Sequence, residues 1–417
     1  MKKNILVLCE FYERGYLEEI FAESDQYKAE LVNMRDIKAI GVAKYLKDII
    51  AEINNNPNKY QGVVVTKDDL SLIATAIVAN TALIGPSFQG ILNCQNKFIS
   101  RDIQKKNLPE SAVEFFLDDG VCGNNQLEEF FAKPVKSSYS FAAGKYSSLA
   151  DLRKFAQEQN QRLVEHNMFH TECLKFAGFG EESTEYQTAN KYICEEILDG
   201  EQFDIDGYML NGKVNVIGSS KVVFYQDSGT IERNEFPYHL DEYYQQQINN
   251  LTEKLTKAVG IDNSFFNIEI RINFQTKRVS IIEINSRMAV QFERLYRSLY
   301  DFSMIIAACD IAVGKAPNQI DKSKRNFNFC YSCQPRYNND QYVVKAPSDA
   351  DVARIHKSFP GTKFLNICSE GDKLSDYKQP KNALGYCIVD VAGNSHEEVL
   401  ENLDMIVKEA GYEFKSA

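Results

Sequence analysis

Polar and apolar residues alternate along residues 265–287. In the first half Asn267, Glu269, Arg271 and Asn273 fall on one side and Ile268, Ile270 and Ile272 on the other, the two-residue period of a strand buried on one face. In the second half Val279, Ile281, Glu283 and Asn285 share a side, opposite Ser280, Ile282 and Ile284. Two such runs predict a hairpin. With a loop of about five residues centred on Thr276, Glu269 and Glu283 lie equally far from the centre and face each other. Apolar runs at 4–9, 62–66 and 82–85, separated by a polar helical stretch and by a helical pattern over 70–80, predict a parallel α/β unit. Helical patterns also cover 96–106 and 241–259, the latter with Tyr244, Ile248, Leu251, Leu255 and Val259 at spacings of three and four. A polar, charged stretch at 318–326 reads as a linker before strands and a closing helix at 396–410. The expected class is α/β and α+β multidomain: an N-terminal parallel α/β domain (1–92), a central domain (93–315) and a C-terminal α+β domain (316–417).

Two facing carboxylates, about 5 Å apart at Cβ, destabilise a hairpin unless a cation lies between them. Magnesium takes hard oxygen ligands and leaves part of its shell to water and phosphate, so Glu269, Glu283 and the Asn285 carbonyl oxygen form a sensible protein share; Mn²⁺ would suit the same set. An isolated Glu-x-Asn reads better as a solvated strand face, since short motifs match by chance, and the facing glutamate is what shifts the reading toward a metal. Arg287 follows on the same side, suited to phosphate or carboxylate. Upstream, Lys97 opens a helix and Lys133 ends the apolar run Phe130-Phe131-Ala132 before Pro134. Residues 135–144 are small and polar, and their backbone N–H groups with the Ser137, Ser138 and Ser140 hydroxyls could wrap a phosphate. Glu195 at a strand end, the pair Ile197-Leu198, and Glu201 after Gly200 suit a nucleoside's amino group, ring edge and ribose; an acidic hairpin edge has the same composition.

At 417 residues with 44% hydrophobic content the chain can bury a large core. Its net charge of −11, without a basic cluster, argues against nucleic acid or an anionic membrane as partner and favours small molecules. The apolar start is too short for a signal-peptide core, and the longest apolar stretch falls short of the ~20 residues that span a bilayer. A soluble, cytoplasmic protein is expected. Ten scattered cysteines suggest reduced, buried thiols. Only Cys330 and Cys333 have metal or redox spacing, without a second pair nearby. His166 and His170 lack the intervening glutamate of a zinc-protease helix. Phe-Tyr-Glu-Arg-Gly after the first strand offers no dinucleotide fingerprint.

Taken in order, these pieces resemble the ATP-grasp superfamily from about Gly85 to Gly314. The resemblance implies a two-subdomain ATP-grasp core preceded by an α/β domain. It implies ATP and Mg²⁺, with Lys97 and Lys133 on phosphates and residues 136–144 as the covering loop. It further implies Glu195 near the adenine amino group, Ile197 and Leu198 as the hinge, Glu201 on the ribose, and Glu269, Glu283 and Asn285 on the metal. Arg287 and Lys133 would serve the transferred phosphoryl. The C-terminal region is similar to the closing domain of biotin-carboxylase-like and carboxylate-amine ligase members. The covering loop lacks the family's several glycines, and Met-Ala-Val-Gln follows Arg287 in place of Gly-Gly. The implied activity is a ligase that activates a carboxylate as an acyl phosphate and passes it to an amine or other nucleophile. The alternatives are bicarbonate chemistry and a regulatory ATP binder. Related ligases are often homodimers, which the resemblance extends to this chain. Lys221, Arg271, Gln291 and Arg294 are candidates for the acceptor pocket.

Overall fold

The computed structural model describes residues 2–118, 127–138, 141–226, 229–323, 325–377 and 383–417. Three parallel strands open the chain, with Lys3–Cys9 between Tyr27–Asn33 and Gly62–Val65. Ile5, Leu6, Val7, Leu8 and Cys9 are all fully buried, as a central parallel strand covered on both faces requires. Tyr27–Asn33 lies inside the expected helical stretch. As an edge strand it buries its two ends and leaves polar positions open, so its sequence lacks a continuous apolar run. Residues 82–85, expected as a strand, join no sheet. They run into Pro86, which has no N–H to give a ladder, and then into the Phe88–Gln95 helix, capped by Ser87 Oγ accepting from the Gly90 N–H.

The central part holds two antiparallel sheets. The smaller has the spatial order Phe115–Asp118, Tyr192–Glu195, Phe130–Pro134, Gly144–Tyr146. The larger begins with Arg278–Asn285, Ser264–Asn273, Glu201–Leu210, Lys213–Phe224 and Ile231–Phe236. It continues into Phe329–Cys333, Cys387–Gly393 and Lys363–Asn366, so one sheet crosses the boundary expected at residue 315. The amphipathic helix Glu242–Val259 packs Tyr244, Ile248, Leu251, Leu255 and Val259 into the core that also takes Ile268, Ile270 and Ile272. The closing helix is His396–Ala410. The nine cysteines among the described residues are buried and unbridged, Cys330 and Cys333 included. Among the described residues no helix is long and apolar enough to cross a membrane.

The hairpin departs from the expected pattern in an instructive way. Glu269 does pair with Glu283, and Asn267 with Asn285. The turn, however, is Phe274 to Lys277, one residue shorter than assumed. Between Glu269 and Ile270 the register shifts, leaving Ile282 as an extra residue in the second strand. Beyond that bulge Ile281 faces Ile270 and Val279 faces Ile272, so both are buried with the core isoleucines and do not share a side with Glu283. A bulge exchanges the faces of a strand. Here it also offsets the shorter turn, which is why the two glutamates still meet.

Candidate functional site

Cross-strand register carries the carboxylates over the sheet in two rows. Glu283, Glu269, Asp204 and Ser220 are successive partners in one, and Asn285, Asn267, Asp206 and Gly218 in the next. Asp204 and Asp206 were not among the expected site residues. Their alternation in Phe203-Asp-Ile-Asp is legible, but which way they point is decided by pairing with strands far away in sequence. Asp206 is fully buried; Asn267 Nδ2 donates to its Oδ1 at 3.0 Å and the Tyr296 hydroxyl to its Oδ2 at 3.1 Å. Asn285 Nδ2 donates to Asn267 Oδ1 and to Glu269 Oε1, both at 3.2 Å, and Gln202 Nε2 reaches Glu269 Oε2 at 3.2 Å. Burial pushes the Asp206 carboxyl up to about 7. Burial first, and Glu283 second, push Glu269 up to about 7. Asp204 is raised as well, by burial and then by Glu269 and Asp206. Burial, and for Glu269 and Asp204 the neighbouring carboxylates as well, disfavour negative charge on this face, a condition a divalent cation relieves.

Three buried lysines converge beside it. Lys97 begins the Lys97–Asn107 helix, whose N-cap, Asn96, accepts from the Ile99 N–H. Its Nζ lies 3.3 Å from Glu283 Oε1 and donates to the Ser137 carbonyl at 2.7 Å. Burial lowers its pKa, Glu283 opposes this, and Lys133 and Lys136 add to the lowering. Lys133 and Glu195 are diagonal neighbours in the smaller sheet, because Glu195 pairs with Phe131. Lys133 Nζ is 3.0 Å from Glu195 Oε2. Against the upward push of burial, Arg101 and then Lys133 hold the Glu195 carboxyl at about 2. Lys136, only 2% exposed, is 3.1 Å from Asp69 Oδ1. It was expected merely as the start of the covering loop; the signal for it was Lys-Pro-Val-Lys, two lysines around a proline.

The remaining expected residues are placed as follows. Arg287 donates from Nε and Nη2 to Asp68 Oδ2 at 3.1 and 2.8 Å, tying the hairpin to the first turn of the Asp68–Ala79 helix. Ser137 Oγ donates back to the Pro134 carbonyl, and Ser138 Oγ lies 3.5 Å from His166 Nε2. Ser140 lies outside the described residues. Ile197 and Leu198 are half-buried in the irregular stretch that joins the two sheets. Glu201 is turned to the Phe203 side of its strand, away from the carboxylate face, and pairs with Lys221 at 2.6 Å beside Tyr238. Gln202 occupies the carboxylate face instead. The four acceptor candidates do not converge: Lys221 is held by Glu201, Arg271 Nη1 donates to the Gly200 carbonyl, Arg294 faces Asp390, and Gln291 is exposed.

The residues present fit a magnesium ion in part. Glu269 and Glu283 supply two facing oxygens, whereas Asn285 offers its amide nitrogen to Glu269, so its oxygen becomes available only by a half-turn of the amide. Among the described residues no three His, Cys, Asp or Glu side chains form a metal cage. That suits an ion that completes its shell with phosphate and water.

Two antiparallel sheets enclosing lysines on one side and paired carboxylates on the other define a nucleotide-grasping fold. Residues 130–292 match the ATP-grasp domain, and the chain has the ATP-grasp fold. No curated protein matches the sequence. Among solved structures, the L-amino acid ligase from Bacillus licheniformis superposes with a TM-score of 0.72 at 14% identity, over 100% of this chain and 99% of that one. The biotin carboxylase domain of Hydrogenobacter thermophilus 2-oxoglutarate carboxylase gives 0.67 at 13%, over 100% and 91%. The N5-carboxyaminoimidazole ribonucleotide synthetase from Thermotoga maritima gives 0.62 at 11%, over all of both chains. At these identities the likeness is one of fold.

Proposed function

We propose that the chain is an ATP-dependent ligase that activates a carboxylate as an acyl phosphate and joins it to an amine or other nucleophile, releasing ADP and phosphate. The observation that carries this reading is Lys97 against Glu283, which faces Glu269, with Lys133 and Lys136 buried nearby against Glu195 and Asp69, in a chain of ATP-grasp fold. Phosphoryl transfer asks a protein mainly for positioning and charge neutralisation, and three buried ammonium groups supply both along a polyphosphate. Glu269 and Glu283 would hold Mg²⁺ or Mn²⁺, which neutralises phosphate charge when bound. The stretch 196–199 borders the nucleoside, and the ribose contact falls to Gln202 on the carboxylate face in place of Glu201. Arg287 already grips the carboxylate of Asp68; a substrate carboxylate or its acyl phosphate would compete with Asp68 for that guanidinium.

The test is ADP release with Mg·ATP across paired amino acids and small carboxylates, bicarbonate included, with Glu283→Ala as the blank. Release that needs a carboxylate and an amine together supports the ligase. Release that needs bicarbonate alone moves the assignment to carboxylase-type chemistry. Binding of Mg·ATP without release from any pair, by a chain that keeps its fold, supports a regulatory binder.

A further inference from the structure

We propose that Arg101 is a positioning residue for this site, acting through the bulge at Ile282. The inference rests on the ligase reading only in taking the site to hold Mg·ATP. Arg101 lies one turn after Lys97 on the same helix and is 2% exposed. A guanidinium has five N–H donors in one plane, and all five are engaged. Nε and Nη2 donate to Glu195 Oε1 and Oε2 at 2.7 and 3.1 Å. Nη1 donates to Gln104 Oε1 at 2.5 Å and to the Ile281 carbonyl at 2.7 Å, and Nη2 to the Ile282 carbonyl at 2.6 Å.

Those two carbonyls belong to the bulge. An extra residue disrupts the local ladder, and a buried carbonyl left without a donor is costly. Arg101 supplies the donors, while the Ile281 N–H bonds outside the hairpin to the Ser111 carbonyl at 3.0 Å. The consequence for the site follows from register. From Asn273 paired with Arg278 to Ile270 paired with Ile281 the ladder is regular. Continued without a bulge, it would set Ile282 opposite Glu269 and turn Glu283 to the core side. The same guanidinium holds Glu195, and Glu195 holds Lys133. One buried side chain therefore sets the metal-side carboxylate and a phosphate-side lysine relative to each other while contacting neither directly. Lysine in its place has three donors and no planar fork.

The experiment titrates Mg²⁺ into the full-length protein with ATP and reads binding calorimetrically, beside chemical denaturation, for wild type, Arg101→Lys and Gln104→Leu. Wild type failing to bind Mg·ATP would overturn the ligase reading itself. With wild type binding, folded Arg101→Lys is expected to need about tenfold more Mg²⁺, the usual effect of losing a partner behind a metal ligand. A lowered denaturation midpoint with wild-type Mg²⁺ dependence would show a merely structural role and overturn the proposal. Should Arg101→Lys not fold, Gln104→Leu decides. It removes one acceptor of the clamp, so a shift of about threefold in the same direction supports the proposal, and unchanged Mg²⁺ dependence overturns it.

Discussion

Glu195→Gln keeps the shape of a buried side chain and removes the charge that Arg101 and Lys133 share. The native carboxyl sits at about 2 against an ordinary 4.5. That gap, at ~1.36 kcal/mol per pH unit, corresponds to roughly 3 kcal/mol of stability at neutral pH, already net of desolvation. The figure agrees with the about 3–5 kcal/mol lost when one partner of a buried pair is removed. The variant is therefore expected to unfold with about 3 kcal/mol less free energy at pH 7. The chain has no tryptophan and 22 tyrosines, so denaturant unfolding is followed by far-UV circular dichroism or tyrosine fluorescence. The sign of the pH dependence provides the sharper check. The unfolded carboxyl takes a proton as pH falls through 4.5 and the native one only near 2, so wild type loses this stability across that window. The glutamine variant has none to lose, and the gap between the two proteins must narrow toward pH 3. A gap under about 1 kcal/mol at pH 7, or one that stays constant down to pH 3, refutes the reasoning.

Three further outcomes are expected. Glu283→Ala should abolish Mg-dependent ADP release while changing stability by less than about 1 kcal/mol, because relief from Glu269 offsets the lost Lys97 contact; near wild-type release at saturating Mg²⁺ would sink the metal assignment. Gly218→Ala would bring a Cβ to 2.4 Å from Tyr296 Oη, displacing the hydroxyl that donates to Asp206, at a cost of about 2–3 kcal/mol; an unchanged denaturation midpoint argues against this packing. His170 is pushed down to about 3, chiefly by burial, and neither ring nitrogen has a hydrogen-bond partner among the described residues. Its native ring stays neutral while the unfolded ring takes a proton below 6.5, so wild type loses stability as pH falls from there. His170→Leu should stabilise the protein more at pH 5 than at pH 7.5, by roughly 2 kcal/mol, and equal gains at both values would contradict it.

Local pattern determined a good deal of this protein. The core helices Glu242–Val259 and His396–Ala410, the central strand Lys3–Cys9 and the Asn96 cap before Lys97 rest on periodicity and capping that neighbouring residues specify. The facing of Glu269 and Glu283 was legible too, although the assumed loop length was one residue too long and the bulge made good the difference. Tertiary structure decided the rest. Which face Asp204, Asp206, Gln202 and Glu201 present depends on strands sixty and more residues away, and a one-residue change of register reverses every side chain. Lys136 was legible only as a charge near a proline, whereas its burial against Asp69 requires the N-terminal unit to dock there. The bulge at Ile282 needs a guanidinium from a helix 180 residues earlier to donate to its carbonyls, and no window of neighbouring residues contains that donor.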